Sequence, residues 1–376
     1  MKLSFGLIGG GGISQSHIIG ATFENLAELK AGCFSRDIDK NKNFGHLHGL
    51  SEERIYSDYK TMAEMESKRD DKIDFAIVTT PNISHYEICK EFLNNGIGVI
   101  CDKPLTVSVK QAVELEKIAE EKNLLCATTY TFGGFPFIHL MKEIYQSGEV
   151  GIAYYITAKY YRGARLAEIF ANDIKTWRFT KEISGQGGAI ADLGTHVEFI
   201  ARFVMGCDID QVLAKLINKP GKVELDTTGA VLLKFTNGID GLITVAQAAC
   251  GHDNDIEVEI LCEKGTISWC FKNSGELKID YLDGKSVIHR EPGVKYESIR
   301  KFDHKQPVLS NAPVSGFINI YSGFIKTMIS RKNGEQEYHY FPTFTDGVKG
   351  VMFVEACVDS QNNNNIWMHI DAMEDM

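Results

Sequence analysis

No apolar stretch in the 376 residues approaches the ~18 needed to cross a bilayer, which argues against a membrane-spanning helix. The opening run from Met1 to Ile8 is cut by Gly9–Gly12 too early for a signal peptide. No Lys/Arg-rich run exists and the formal net charge is −10, so a nucleic-acid partner is not expected. None of the nine cysteines forms Cys-x-x-Cys, and none of the 11 histidines sits in His-Glu-x-x-His. No metal site and no disulfide framework is therefore indicated. Cysteines such as Cys33 and Cys101 fall inside apolar runs, as reduced, buried thiols of a cytoplasmic protein do. There is no internal repeat and no long linker. The length exceeds one typical domain, so two domains sharing a cleft are expected, 1–129 and 130–376.

What is present begins with an apolar run over 3–8, followed at once by Gly9-Gly10-Gly11-Gly12-Ile13-Ser14. Strand, glycine turn, helix is the context of a dinucleotide-binding fingerprint. Gly9 serves the turn, Gly11 and Gly12 bare the backbone beside Ile13, and Ser14 replaces the third glycine. About 20 residues on, where an acidic side chain holds the ribose of NAD, strand Leu29–Phe34 runs into Ser35-Arg36-Asp37. A hydroxyl plus a guanidinium suits a 2′-phosphate, which favours NADP; Asp37 either caps the next helix or takes the NAD role. Ile73–Thr79 is continuously apolar, as a strand covered on both faces should be, and leads into Thr80-Pro81-Asn82-Ile83-Ser84-His85. Strand Gly98–Cys101 leads into Asp102-Lys103-Pro104. By strand count, Lys103 ends the fifth strand and Leu125–Thr129 is the sixth of a doubly wound parallel sheet.

Beyond Thr129 the rhythm changes. A helix (Pro136 to Gln146) and a strand (Ala153–Tyr161) lead into an irregular stretch carrying Arg162, Arg165, Trp177 and Arg178. A helix is then expected from Ala189 to Gly206. On it, Asp192 and His196 are four apart, on one face, where a carboxylate can orient an imidazole for proton transfer. From Ile209 the chain reads as about six strands with Asn237-Gly238 and Asp283-Gly284 hairpin turns, so the second domain is α+β with a large antiparallel sheet. Val231, Leu233 and Phe235 share one face of a strand, and the open face of such a sheet needs a cover. Residues 290–315 read as a long loop. Two helices, about 316–331 and 346–360, and a last strand, Ile366–Ile370, close the chain.

GGGGIS, TTPNISH, DKP and GGAIADLGTH occur in this order, with the C-terminal TDGVKGVMFVEACVDS. Together they resemble the Gfo/Idh/MocA family of NAD(P)-dependent sugar and polyol oxidoreductases. The resemblance implies an N-terminal Rossmann domain, a C-terminal α+β domain with a large open sheet, and a homodimer or homotetramer built through that sheet. It places Lys103, Asp192 and His196 as catalytic residues beside the nicotinamide. It puts Thr80, Pro81, Asn82, His85, Asp102 and Lys103 with the glycine turn on the cofactor side. Tyr160, Arg162, Trp177, Arg178 and Thr195 are the candidates for a polyhydroxylated substrate. The sequence departs from the family in two places: Asp102 stands for the usual Glu, and Thr129 and Thr131 stand for Asn and Arg.

Oxidising a secondary alcohol removes a hydroxyl proton as hydride leaves the same carbon. His196 is the candidate base, Lys103 the charge that steadies the developing alkoxide. The alternatives are the reverse reaction, a keto-sugar reductase, and a non-catalytic nucleotide-sensing regulator of the same fold, which has no need of the Lys103–Asp192–His196 set.

Overall fold

The computed structural model describes residues 1–164, 166–171, 177–219, 223–290, 296, 302 and 313–370. Arg165 and most of the loop expected over 290–315 lie outside them. The first sheet is parallel: β1 (Leu3–Ile8), β2 (Ala27–Cys33), β3 (Phe75–Val78), β4 (Gly98–Cys101) and β5 (Ala127–Thr128), in the order β2-β1-β3-β4-β5. It therefore has five strands, and the strand count from sequence is one too high: TTPNISH follows the third strand and Lys103 the fourth. Between β2 and β3 no apolar run of strand length exists. The chain there makes a single parallel bridge, Gly32 to Ile55, and returns to helix.

Helices α1 (Ser14–Thr22), α2 (Ile38–Leu47), α3 (Tyr59–Ser67), α4 (His85–Asn94) and α5 (Val109–Glu121) cover the sheet. Asp37, Asp58 and Ser108 cap α2, α3 and α5 by accepting from a backbone N–H three residues on. Strand order reverses between β1 and β3, so the glycine turn and the TTPN loop flank the crevice where open α/β sheets bind ligands.

The second sheet has nine strands: β6 (Ala153–Tyr161), β7 (Ile209–Ile217), β8 (Thr228–Phe235), β9 (Asp240–Ala246), β10 (Asp255–Cys262), β11 (Gly265–Cys270), β12 (Glu276–Tyr281), β13 (Ser286–Arg290) and β14 (Met368–His369). All pairings are antiparallel except β6 with β9. The reading of about six strands missed β13, a short, half-exposed edge strand with little apolar signal. Val231, Leu233 and Phe235 point to the covered face and are buried; Leu213, Leu232 and Leu242 make the cross-strand row on the other face.

The covered face receives α6 (Pro136–Gln146) and α9 (Thr195–Met205); the short α7 (Leu166–Ala171) and α8 (Lys181–Ser184) lie between β6 and α9 in the chain, where Ile169 packs with Phe179 and Val223. Gly206, at φ 68°, ends α9 where the sequence places its stop. Two long helices tie the domains together. Helix α11 (Phe344–Asn362) packs on β7, α5 and α9, and α10 (Pro313–Asn333) packs on α1. Through Phe317, Ile320, Tyr321 and Phe324, α10 completes the core around Phe5 and Phe75; the Phe75 and Phe324 rings lie 5.2 Å apart.

Candidate functional site

The first wall of the cleft is backbone. Gly9 adopts φ 105°, and a Cβ there would sit 2.7–3.0 Å from Thr79, so only glycine makes this turn without strain. Its N–H donates to Cys33 O (2.9 Å), and the Ser14 hydroxyl donates to Gly9 O (3.0 Å) and pairs with Thr79 Oγ1 (2.9 Å). Ser14 is thus a buried fastener for the turn. A Cβ added at Gly11 or Gly12 would meet no protein atom and would enter open space at the start of α1. This is the bare cradle a dinucleotide phosphate requires, beside exposed Ile13, and the residues fit that group. At the end of β2, Asp37 caps α2, accepting from Lys40 N (3.0 Å), and Ser35 Oγ accepts from Asp37 N (3.1 Å). Arg36 is exposed and, among the described residues, has no ion pair.

The two strand-end loops are bolted to each other by His85. Its Nδ1 lies 2.9 Å from Pro104 O and its Nε2 2.8 Å from Thr80 O. The imidazole is buried, so His85 sets the spacing of the loops and does not present itself to the cleft. Pro81 precedes a single 3₁₀ turn, and Asn82 Nδ2 reaches across to Ser184 O (3.1 Å), joining the domains. Asp102 Oδ1 accepts from Thr129 Oγ1 (2.8 Å) and Lys103 N (2.9 Å). The shorter acid and the threonine hydroxyl that replaces the family's asparagine meet each other. His17, fully buried, has its Nε2 4.0 Å from the same oxygen and its Nδ1 2.7 Å from the Tyr321 hydroxyl.

The second wall is a buried helix start. Asp226 accepts from Gly188 N (2.6 Å) and Ile190 N (2.8 Å), and its carbonyl accepts from Ala189 N (2.8 Å). It caps the segment from 36 residues away. Ile190–Gly194 then winds as a π-helical turn before α9 begins. This corrects the simple i, i+4 geometry expected for Asp192 and His196: no hydrogen bond joins them. Asp192 Oδ1 takes Lys103 Nζ at 2.7 Å, and that ammonium also donates to Asp192 O (2.5 Å). Asp192 Oδ2 takes the Gln247 amide (2.8 Å) and faces Arg178 Nε at 4.0 Å. Burial pushes the Asp192 carboxyl up, but the Lys103 and Arg178 charges outweigh it and hold it well below the usual carboxylate range.

His196 is instead gripped by rings. Phe132, Tyr160 and Tyr130 lie at 5.0, 6.0 and 6.2 Å between centroids, and its buried Nδ1 has no hydrogen-bond partner among the described residues. Burial, with Lys103 adding to it, holds the imidazole well below its ordinary basicity, so the ring is neutral at neutral pH.

A cleft of about 430 Å³ opens between the walls, lined by Ile13, Thr79, Thr80, Asn82, Asp102, Lys103, Trp177, Arg178, Ser184 and Asp192. Arg178 stacks on Trp177, 4.5 Å from the ring centre. Tyr160 is buried behind the cleft and donates to Asn254 Oδ1 (2.9 Å). Thr195 is fully buried and donates to Ala191 O (2.9 Å), so it does not reach the cleft. Gln247 and Asp226 were not anticipated. Gln247 had a signal, an amide in the apolar run Leu242–Ala249, where a polar group implies a partner. Asp226 had none.

Comparison with known proteins accords with this architecture. The profile described as "Oxidoreductase family, NAD-binding Rossmann fold" matches residues 3–130, and that of the "GFO/IDH/MocA C-terminal domain" matches 138–268. The oxidoreductase YfiI of Bacillus subtilis is 29% identical over 381 residues, covering 97% of this chain and 96% of its own. The levoglucosan dehydrogenase of Pseudarthrobacter phenanthrenivorans is 24% identical over 314 residues, 76% of this chain and 78% of its own. The crystal structure of an inositol dehydrogenase homolog from Azotobacter vinelandii, complexed with NAD+, superposes with a TM-score of 0.92 at 22% identity, covering 98% and 97% of the two chains. With a Rossmann half and a C-terminal half matched in their proper order, the chain belongs to the Gfo/Idh/MocA family of oxidoreductases.

Proposed function

We propose that this oxidoreductase moves hydride between NAD(P) and a secondary alcohol or ketone of a sugar, cyclic polyol or glycoside. The observation that carries the reading is the Lys103–Asp192 pair, one partner from each domain, closed at 2.7 Å beside a neutral, buried imidazole. A nicotinamide dinucleotide, when bound, supplies hydride transfer, held by the Gly9–Ile13 turn and the loops after β2, β3 and β4. His196 accepts the hydroxyl proton; burial weakens it as a base, and the Lys103 charge compensates by making the hydroxyl more acidic. Lys103 stabilises the alkoxide that forms, and Asp192 with Gln247 fixes where the ammonium points. In reverse, the same groups polarise a ketone. A sensor needs no neutral imidazole held against a paired lysine, so the enzyme is favoured.

The levoglucosan and inositol names of the relatives support a cyclic polyol or anhydrosugar as substrate. For the cofactor we favour NADP: Arg36, just past the end of β2, has no ion pair among the described residues, while Asp37 is engaged as a helix cap. Nine free cysteines support a reducing, cytoplasmic setting, and the Leu213–Leu232–Leu242 row supports a homodimer or homotetramer through the open sheet face. The test is reduction of NAD and NADP across inositols, hexoses, anhydrosugars and glycosides, with wild type and Arg36→Ala. Arg36→Ala should weaken NADP roughly ten- to a hundredfold and leave NAD nearly untouched, since such charge-assisted bonds contribute ~1.5–3 kcal/mol. Equal weakening of both, or preference of the wild type for NAD, rejects the NADP assignment. Sedimentation as a ~42 kDa monomer rejects the oligomer.

A further inference from the structure

Two cations line the cleft, and a third, Arg162, stands close enough for its charge to reach His196. Lys103 is taken by Asp192, and Arg178 stacks on Trp177 and faces the same carboxylate. Arg162 differs from both. Its Nε is buried with no hydrogen-bond partner, and among the described residues its guanidinium forms no ion pair. The backbone holds it in place from both sides. Arg162 N donates to Ala246 O (2.7 Å), and Arg162 O accepts from Ala249 N (3.2 Å), bracketing Gln247, which grips Asp192.

Arg162 continues the line of β6, and the two-residue period of a strand aligns it with Tyr160, whose ring is 6.0 Å from that of His196. Its charge reaches both of them. Asp253, whose charge also reaches Tyr160, is exposed and forms no ion pair with Arg162. In a chain of net charge −10, carboxylates are abundant, yet none within the described residues neutralises this guanidinium.

A buried N–H without an acceptor is unfavourable, and on a cation beside the reacting groups it is a vacant place for an acceptor. A sugar hydroxyl satisfies one donor. A carboxylate or phosphate satisfies two parallel donors of the guanidinium fork and balances its charge. We propose that the substrate is an acidic sugar or polyol, whose carboxylate or phosphate group docks on Arg162 while the carbinol to be oxidised faces Lys103 and His196. This rests on the hydride-transfer reading for the carbinol and on Arg162 alone for the acid.

The test is calorimetric binding to the full chain at saturating dinucleotide, with D-glucose, D-glucuronate and D-glucose 6-phosphate, D-galactose and D-galacturonate, and myo-inositol and its 1-phosphate. Wild type, Arg162→Gln and Arg162→Lys are compared, each shown to be folded by circular dichroism. At least one acid should bind roughly ten- to a hundredfold tighter than its neutral parent, the gain expected of charge-assisted bonds. Arg162→Gln should abolish that margin and keep the neutral parent within about twofold; Arg162→Lys, charged but without the fork, should retain part of it. The uronate and phosphate arms tell carboxylate from phosphate. Absence of an Arg162-dependent preference in every pair overturns the proposal, as does Arg162→Gln weakening acid and parent alike. Nicotinamide absorbance is recorded on the same mixtures. Arg162-dependent acid binding without hydride transfer keeps the acidic ligand and removes the dehydrogenase reading, whereas turnover of neutral sugars with no acid preference does the reverse.

Discussion

The two walls of the cleft are held by different forces. The Rossmann wall offers exposed glycines, and its side chains mostly fasten backbone to backbone: Ser14 to Gly9, His85 to Thr80 and Pro104. The opposite wall is largely buried. Asp226, Asp192 and His196 are placed by contacts to residues tens of positions away, and their charges are balanced or suppressed by burial. Substitutions at the open glycines of the first wall, Gly11 and Gly12, should therefore act mainly on binding and spare the fold, whereas those in the second wall should act on chemistry and stability together.

The largest effect should come from the pair that spans the walls. His196→Ala should lower turnover ~10²–10⁴-fold, and Lys103→Ala by a similar factor. Because both act on one proton and one developing charge, the double variant should fall little below the worse single one. Near wild-type turnover by His196→Ala on the true substrate would remove the imidazole from the reaction and leave it as aromatic packing.

Next in size is a dependence on pH. Burial lowers His17 to about 4 from 6.5. Between those values the unfolded chain binds the proton and the folded chain does not, so stability is present above 6.5 and is lost as pH falls toward 4. The loss attributable to His17 is about 3 kcal/mol. Asp226, raised by burial to about 6, acts in the opposite direction. The contrast is therefore drawn between wild type and His17→Asn: urea unfolding at pH 7 and pH 4 should show a smaller acid loss in the variant. Equal losses would mean that the buried ring is not the titrating group.

Asp226→Asn should cost about 2 kcal/mol, since an amide N–H₂ then faces one of two buried backbone donors. It should also lower turnover, because it loosens the turn that carries Asp192. A melting curve and a rate measured on one preparation check both, and a change in one without the other would separate the cap from the site.

The smallest effects compare two glycines. Gly9→Ala should lower stability by about 1 kcal/mol or more through its positive φ and the contact with Thr79. Gly11→Ala should leave melting unchanged within about 0.5 kcal/mol and weaken dinucleotide binding, because its Cβ meets only open space. Reversed outcomes would mean that the turn is structural throughout.

The same contrast explains what could be read from the chain. Much of the Rossmann wall is encoded in consecutive residues, where a strand, a glycine turn and a helix start follow one another, so the fold and the positions of Gly9, Thr80 and Lys103 were legible. The strand count ran one too high although the apolar runs at 3–8, 29–34, 73–79, 98–101 and 125–129 are five, the number the sheet has. On the second wall the D-x-G-x-H spacing singled out Asp192 and His196 as candidates, but not their partners. Four-residue spacing implies adjacency only in an α-helix, and the π turn shifts it. Asp226, Gln247 and the rings around His196 come from distant segments, and pairing at long range leaves little trace in local pattern.

Helix α10 has a consequence for how the protein is made. Its residues Phe317, Ile320, Tyr321 and Phe324 cover Phe5 and Phe75, which leave the ribosome more than 200 residues earlier. Until α10 emerges, the part of the first sheet around Phe5 and Phe75 lacks this cover, and a chain halted near residue 130 presents that apolar surface to solvent. The nucleotide-binding half is therefore translated first and sealed late.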